Sequence, residues 1–507
     1  MSRLVLDQRS VDRDELLTRA RRAARGLDSL GVREGDAVAL LMRNDFAFVE
    51  AMQAAALLGA YAVPVNWHGK PDEVRYVIDD VKPKALVVHA DLLVAVRDQL
   101  PADTAVVVVS SPDEVRSQFG VPAERASVLP GDRDWSHWLA GFDPWNEPPR
   151  RSRATMIYTS GTTGHPKAVK RDAATPEQSA AYIQLIKLVY GVEQGMRALI
   201  AGPLYHASPN AYVRQALPAA DLIAMQTKFD AEAALAAIQE HRITHMIAVP
   251  TMFVRMLKLP IAVRQRYDIS SLRRVTHTGA PCPVDVKRAL FEWWGPIVYE
   301  TYGGTEIGTA TFSTPEDWLA YPGSVGVPTP GTRMALYGDD GRPVAPGEIG
   351  EVFARVPAYA DFTFLNDPAK RLSVERDGLI SCGDVGYVKD DHLYLCDRRA
   401  DMIISAGVNI YPAEIEAVLL QCPGVADCAV FGIPDDEMGE SLAAAVERLP
   451  GVELDVRQVR LFLETRISKY KVPGRVDFHS SLPREDSGKI FKRRLRDPFW
   501  KAAGRNI

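Results

Sequence analysis

The chain has 507 residues, 47% hydrophobic and 25% charged, with a formal charge of −5. That length exceeds what one hydrophobic core holds, so two or more folding units are expected, and the mild negative charge leaves no footprint for nucleic acid or anionic lipid. Five cysteines (Cys282, Cys382, Cys396, Cys422, Cys428) form no CxxC pair and no metal spacing, and read as reduced thiols of a cytoplasmic protein.

The first residues, Met1 to Asp7, break into charge before a signal-peptide core forms. Asp12 with Glu15 matches a capping box that opens an amphipathic helix through Leu16, Leu17, Ala20, Ala24 and Leu27. A strand is expected at 37–42, then a helix at about 45–58. The longest apolar run, residues 54–65, contains Gly59 and Pro64 and is too short to span a bilayer, so no stable membrane insertion is expected. A strand at 85–89, a helix at 92–100 and a β-branched run at 106–109 follow. Residues 154–157 are expected to form a buried strand that holds the entry to the next loop. A second strand–helix series runs from 198 to 300. From 323 to 356 the texture changes to short strands and Gly/Pro turns, as in a small barrel or sandwich. A last α/β segment begins near Asp401, with a helix at 413–421 and an apolar run at 428–433. The rhythm implies parallel sheets covered by helices.

The loop after residue 158 is the most informative stretch. Thr159, Ser160, Gly161, Thr162, Thr163 and Gly164 offer hydroxyls and backbone N–H groups with little bulk, and Lys167 adds a mobile positive charge. Glycines allow the positive-φ turns that aim successive N–H groups at one anion, so the loop suits phosphate. It is not the P-loop Gly-x4-Gly-Lys-Ser/Thr, because Pro166 stands where the second glycine belongs. Composition alone equally allows a Gly/Thr-rich surface turn.

A second cluster reads Tyr299-Glu300-Thr301-Tyr302-Gly303-Gly304-Thr305-Glu306. The glycine pair lets a ligand approach the backbone, and Thr305 and Glu306 supply oxygen ligands of the kind Mg²⁺ prefers. By itself the octet is also compatible with a β-turn and a solvated glutamate. Further candidates are Gly279-Ala280-Pro281, Cys382-Gly383-Asp384, Asp397-Arg398, Pro203-Leu204-Tyr205-His206-Ala207-Ser208, and a basic segment at 482–493 that pairs a glycine hinge with Lys489.

Together these segments resemble the motifs of adenylate-forming enzymes: acyl-CoA synthetases, free-standing adenylation domains and beetle luciferases. The resemblance covers essentially the whole chain. It implies an α/β fold with a large N-terminal domain (1–397) of two α/β subdomains and a small β-barrel. A hinge at 398–400, with Ala400 as pivot, and a small mobile α/β C-terminal domain (401–507) would follow. The activity implied is ATP-dependent activation of a carboxylic acid through an acyl-adenylate, then thioester formation with coenzyme A. ATP, Mg²⁺ and coenzyme A are the expected cofactors.

By the same resemblance, Ser160 to Gly164, Thr159 and Lys167 hold the phosphates. Gly279, Ala280, Pro281, Thr301, Tyr302, Gly303, Thr305, Asp384 and Arg398 hold the nucleoside and α-phosphate, Tyr302 against adenine and Asp384 on the ribose. Glu306 holds the metal and Lys489 is the mobile catalytic lysine, with Thr305 and His206 assisting at the α-phosphate and the carboxylate entrance. Met252, Phe253, Thr278, Gly303 and Gly304 line the acyl cavity with His206. The two glycines project no side chains, leaving room for a long or ring-containing acid. Ser405, Ala406 and Gly407 line the coenzyme A tunnel. Relatives acting on α-amino acids place an aspartate at the His206 position, so an apolar fatty, aromatic or polycyclic acid is expected. Ala168, Ala406 and Val408 depart from the family pattern, and the last two leave the thiol acceptor open between coenzyme A and an acyl carrier protein. A phosphotransferase or NTPase is the alternative from another class, and predicts ADP and phosphate in place of AMP and pyrophosphate.

Overall fold

The computed structural model describes residues 2–159, 166–399, 401–406, 408–484 and 490–503. A four-stranded parallel sheet runs in the order Tyr61–Pro64, Ala37–Leu41, Ala85–His89, Ala105–Val109. The strands Ala37–Leu41 and Ala85–His89 are buried at every position, which is why they read as unbroken apolar runs. Helix Arg13–Ser29 turns Leu16, Ala20, Ala23, Ala24 and Leu27 inward. Its cap differs from the expected box: the Asp12 carboxylate accepts from the Asp14 N–H at 2.8 Å, closer in the chain than Glu15.

A nine-stranded sheet forms the second layer, in the order Val327–Pro328, Gly308–Ser313, Val298–Gly304, Arg274–His277, His245–Ala248, Arg197–Ile200, Leu222–Met225, Arg3–Leu6, Arg9–Asp12. Its middle strands are parallel and its edges antiparallel. The N-terminal strand Arg3–Leu6 docks on Leu222–Met225, Leu4 opposite Ile223, a pairing no local pattern announces. Strand Arg197–Ile200 is followed on one side by Leu222–Met225 and then on its other side by His245–Ala248. The order therefore reverses at Arg197–Ile200, and open α/β sheets seat ligands outside the carboxyl ends at such a point.

The strand expected at 154–157 lies later, at Ile157–Thr159, antiparallel to Lys167–Arg171, which pairs in turn with Phe362–Phe364. Thr155 is drawn out of the ladder because its hydroxyl donates to Asn210 Oδ1 at 2.7 Å. A five-stranded antiparallel sheet joins Arg333–Tyr337, Gly350–Arg355, Glu375–Arg376, Leu379–Lys389 and His392–Arg398, with Asp384 directly opposite Arg398.

From residue 403 onward the chain builds its own core from Ile403, Ile415, Leu419, Val430, Val446 and Leu463. The sheet there orders Val408–Ile410, Ile403–Ser405, Gly439–Arg448 and Val425–Asp435, with Arg475–His479 parallel to Gly439–Arg448. The expected helix at 413–421 runs Pro412–Leu419, its proline at the first turn where no N–H is needed.

Candidate active site

One cavity of about 2560 Å³ opens at the carboxyl ends of the parallel strands. Four consecutive strand ends supply its floor: Pro203 to His206 after Arg197–Ile200, Val249 to Met252 after His245–Ala248, Thr278 to Pro281 after Arg274–His277, and the end of Val298–Gly304 itself. The switch in strand order thus brings together segments that lie far apart in sequence.

At one end, Thr159 and Lys167 face each other across the hairpin whose connecting residues, Ser160, Gly161, Thr162, Thr163 and Gly164 among them, lie outside the described residues. Lys167 Nζ sits 3.0 Å from Asp367 Oδ2, and that hydrogen bond raises the ammonium above its ordinary pKa. The Thr159 hydroxyl donates to Glu306 Oε1 at 3.3 Å. Glu306 Oε2 accepts from the Cys382 thiol at 3.6 Å, and burial pushes that thiol well up, so it stays protonated. One carboxylate and one hydroxyl on the cavity lining fit a Mg²⁺ that keeps water and phosphate oxygens as its other ligands. Among the described residues no group of three or more His, Cys, Asp or Glu side chains gathers to hold a metal without phosphate.

Beside this, the Tyr302 hydroxyl donates to Asp384 Oδ2 at 2.9 Å, and Arg398 Nε lies 3.5 Å from Asp384 Oδ1. Burial, then the Asp384 charge, holds the Tyr302 phenol neutral. Gly279 has φ +88°, a conformation that suits glycine, and leads into the exposed Ala280 and Pro281 on the cavity wall. Thr305 lines the cavity half-buried. Thr301 also reaches the lining, but its hydroxyl is engaged with the Thr311 carbonyl at 2.7 Å, leaving backbone as its contribution.

Residues 3–361 match the family model of the AMP-binding enzyme, and residues 414–489 match that of the AMP-binding enzyme C-terminal domain. The chain belongs to the AMP-binding enzyme family. It is an adenylate-forming ligase. A feruloyl-CoA synthase of an Amycolatopsis species is 33% identical over 493 residues, spanning 96% of this chain and 93% of the relative. A fatty acid–[acyl-carrier-protein] ligase of Streptomyces coeruleorubidus is 31% identical over 516 residues, 99% of this chain and 94% of the relative. The o-succinylbenzoate-CoA synthetase of Bacillus subtilis, solved with its acyl-adenylate intermediate, superposes with a TM-score of 0.80 at 27% identity, covering 97% of this chain and 95% of that one.

The acyl side of this AMP-binding enzyme departs from expectation in two places. Phe253 does not line the cavity among the described residues. It is fully buried in the core against His277 and Trp294, because it lies one helical step (about 100°) from Met252, which does reach the lining. Gly303 and Gly304 do line it, yet they are packed and not open. A Cβ on Gly303 would meet the Gly308 carbonyl oxygen at 1.9 Å, and one on Gly304 the Cys382 sulfur at 2.5 Å. They are glycine because neighbouring strands press against them. His206 caps helix Ala207–Ala216 at the cavity edge, its ring 4.3 Å from that of Tyr205, and Thr278 is buried below.

Several residues that no motif marks hold the enzyme's site together. Arg171 donates to the carbonyls of Thr305 and Glu306, both at 2.8 Å, and to that of Ala360 at 2.7 Å, so it fixes the Thr305–Glu306 turn. Asn44 does the same for the His206 segment. Its amide donates to the carbonyls of Gly202 and Gln226, and its carbonyl accepts the Leu204 N–H at 2.8 Å. Under the floor, Lys287 Nζ lies 2.7 Å from Glu300 Oε2 and His277 Nε2 lies 3.4 Å from it. Burial works to raise the Glu300 carboxyl, but His277 and Lys287 outweigh it and lower the pKa to about 2.

The C-terminal part meets the same cavity. Arg484 and Ile490 pair across the segment that holds Lys489, which itself lies outside the described residues, and both line the cavity. Arg484 is locked to Asp427 at 2.6 Å and Glu447 at 2.9 Å, while Lys258 of the large unit donates to the Ala426 carbonyl. Ser405 and Ala406 are not among the lining residues and sit on a hairpin whose Ile404 and Val408 are exposed; Gly407 and Ala400 lie outside the described residues. Next to residue 400, Arg399 pairs with Glu351 at 2.7 Å and Asp339 at 3.1 Å. No helix among the described residues is long and apolar enough to cross a membrane.

Proposed function

We propose that the enzyme is a cytoplasmic acyl-CoA synthetase for a carboxylic acid with an apolar body. The convergence of Thr159, Lys167, Glu306, Asp384 and His206 on one cavity at the switch point supports this reading most directly. In the first half-reaction a carboxylate oxygen attacks the α-phosphorus of ATP, the bond to the β-phosphate breaks, and pyrophosphate leaves. Asp384 holds the ribose, and Tyr302 fixes the Asp384 carboxylate by its hydroxyl while offering its ring to adenine. The hairpin around 159–167 holds the phosphates, and Lys489, brought in from between Arg484 and Ile490, neutralises charge as it builds at the α-phosphate. Bound Mg²⁺ would be held by Glu306, with Thr159 at its side, and would supply further neutralisation of the phosphate oxygens.

In the second half-reaction a pantetheine thiol gives up its proton, its sulfur bonds to the acyl carbon, and AMP leaves. The chain divides for this purpose into 1–397 and 401–507, turning at 398–400, which removes Lys489 and brings up Ser405, Ala406 and Gly407. Arg399, tied to Glu351 and Asp339, anchors the fixed side of that pivot. Coenzyme A is the acceptor this reading favours. A carrier protein presents the same arm, and the relative from S. coeruleorubidus together with Ala406 and Val408 in the acceptor segment supports that second reading. Pyrophosphate release over a panel of acids tests the first half-reaction. AMP release with coenzyme A, set against an acyl carrier protein, tests the second, and ADP in place of AMP defeats both.

A further inference from the structure

Beyond His206, the cavity continues between helix Pro176–Tyr190 and helix Ala207–Ala216. Ile186, Tyr190 and Ala211 give it an apolar wall, as the proposed acid requires. Ser179, Asn210 and Gln215 of the same helices add neutral polar groups, and one charged group stands among them. Arg214 also lines the branch, near Tyr182, and it has no counter-charge among the described residues. Its hydrogen-bond acceptors are neutral and distant: the Arg153 carbonyl and Thr155 hydroxyl at 3.3 Å, and the Ser152 hydroxyl at 3.5 Å. No carboxylate of the described residues lies within ion-pair distance, whereas Arg398 of the same cavity faces Asp384 and Arg171 is held by short carbonyl contacts.

A half-buried guanidinium facing a cavity gains when an anion meets it, and its planar fork matches a carboxylate. Burial pulls the Arg214 pKa down, and the Tyr182 phenol, which burial keeps neutral, is its one electrostatic neighbour of note. Partial burial of a cation strengthens its attraction for an incoming negative charge. His206 and Arg214 are eight positions apart on one helix and its cap, about 12 Å along the axis. From these observations we infer that the acid is a dicarboxylic acid: one carboxylate is activated beside His206, and the second, at the far end of an apolar body, is bound by Arg214. This rests on the acid-activating role proposed above and names its substrate class.

The test is pyrophosphate release by the full-length enzyme with matched pairs: straight-chain α,ω-diacids of eight to twelve carbons against the monoacids of equal length, and an aromatic pair alongside. The diacid-to-monoacid ratio of kcat/KM should exceed one in the wild type. It should fall about 10–100-fold in Arg214→Met, the range a charge-assisted hydrogen-bond pair is worth, and recover in part in Arg214→Lys. Monoacids preferred at every length, or a ratio that Arg214→Met leaves unmoved, would overturn the inference. The wild-type ratio decides the matter even if Arg214→Met fails to fold. Absence of pyrophosphate release with every acid would instead overturn the acid-activating role itself.

Discussion

The two ends of the cavity are built on different principles. At the end proposed for the nucleotide, groups that face each other come from short contiguous stretches at strand ends, and most are polar atoms with a named partner: Tyr302 on Asp384, Thr159 on Glu306, Lys167 on Asp367. At the end proposed for the acid the walls come from two helices and a strand edge, with apolar and neutral polar side chains around the charged Arg214. Phosphate and ribose are the same in every reaction, so few substitutions are compatible with holding them. An acid's body is held by shape and burial, which many side chains supply. Single polar substitutions should therefore be severe at the first end, and graded at the second.

The largest effect expected is for Lys489→Ala. Adenylate formation should fall by at least about 10²–10³-fold, the scale of losing one preorganised donor to a transition state. Thioester formation from supplied acyl-adenylate should suffer far less, because the lysine would have left by then. Quench-flow of the two half-reactions separates them, and equal losses would erase the proposed exchange of poses.

Glu300→Gln comes next and probes the floor beneath both ends. Neutralising it leaves Lys287 buried without its charge partner, a loss of about 3–5 kcal/mol in stability at neutral pH. The Glu300 pKa is lowered from 4.5 to about 2, so its contribution is complete above about pH 5 and disappears as pH falls toward 2. Denaturant curves should show the gap between wild type and variant closing over that interval. A gap that widens on acidification would mean the carboxyl is protonated in the folded protein.

What could be seen in advance follows the same division. The strand–helix rhythm and the 159–167, 299–306 and 384–398 segments are legible as candidates because each is a pattern of residues close in sequence. Arg171 and Asn44 were not, since each acts by clamping a backbone more than a hundred residues away. The docking of Arg3–Leu6 on Leu222–Met225 was hidden for the same reason. Phe253 lies in the core and Met252 on the cavity because adjacent helical residues point about 100° apart, and sequence alone does not fix which of the two faces inward.

Gly304→Ala sharpens the border between the ends. As a cavity wall, Gly304 would on substitution change which acids fit. The contacts indicate otherwise: the new methyl would press on Cys382 and lie 3.5 Å from Glu306 Oε2. Overpacking of that kind costs about 1–3 kcal/mol, so the effectiveness of Mg²⁺-ATP should fall about tenfold with the ranking of acids unchanged. A shift in acid preference with ATP use intact would return Gly304 to the acyl end.

The smallest effect concerns the acceptor segment, which belongs to neither end. Ala406 has φ +49°, the left-handed region that an alanine occupies at a cost of about 1–2 kcal/mol. It is held there by the hairpin Ile403–Ser405 to Val408–Ile410 and by its N–H donating to the Met438 carbonyl at 2.8 Å. Glycine would remove the strain but loses more entropy on folding, about 0.4–1 kcal/mol, so Ala406→Gly should stabilise by about 1 kcal/mol or less. Thermal melts detect a shift of that size when followed through a C-terminal probe. Stabilisation together with faster thioester transfer would mean the methyl obstructs the pantetheine arm. Stabilisation with unchanged transfer would leave Ala406 a purely conformational departure from the family pattern. A loss of stability would show that the methyl makes contacts worth more than the strain.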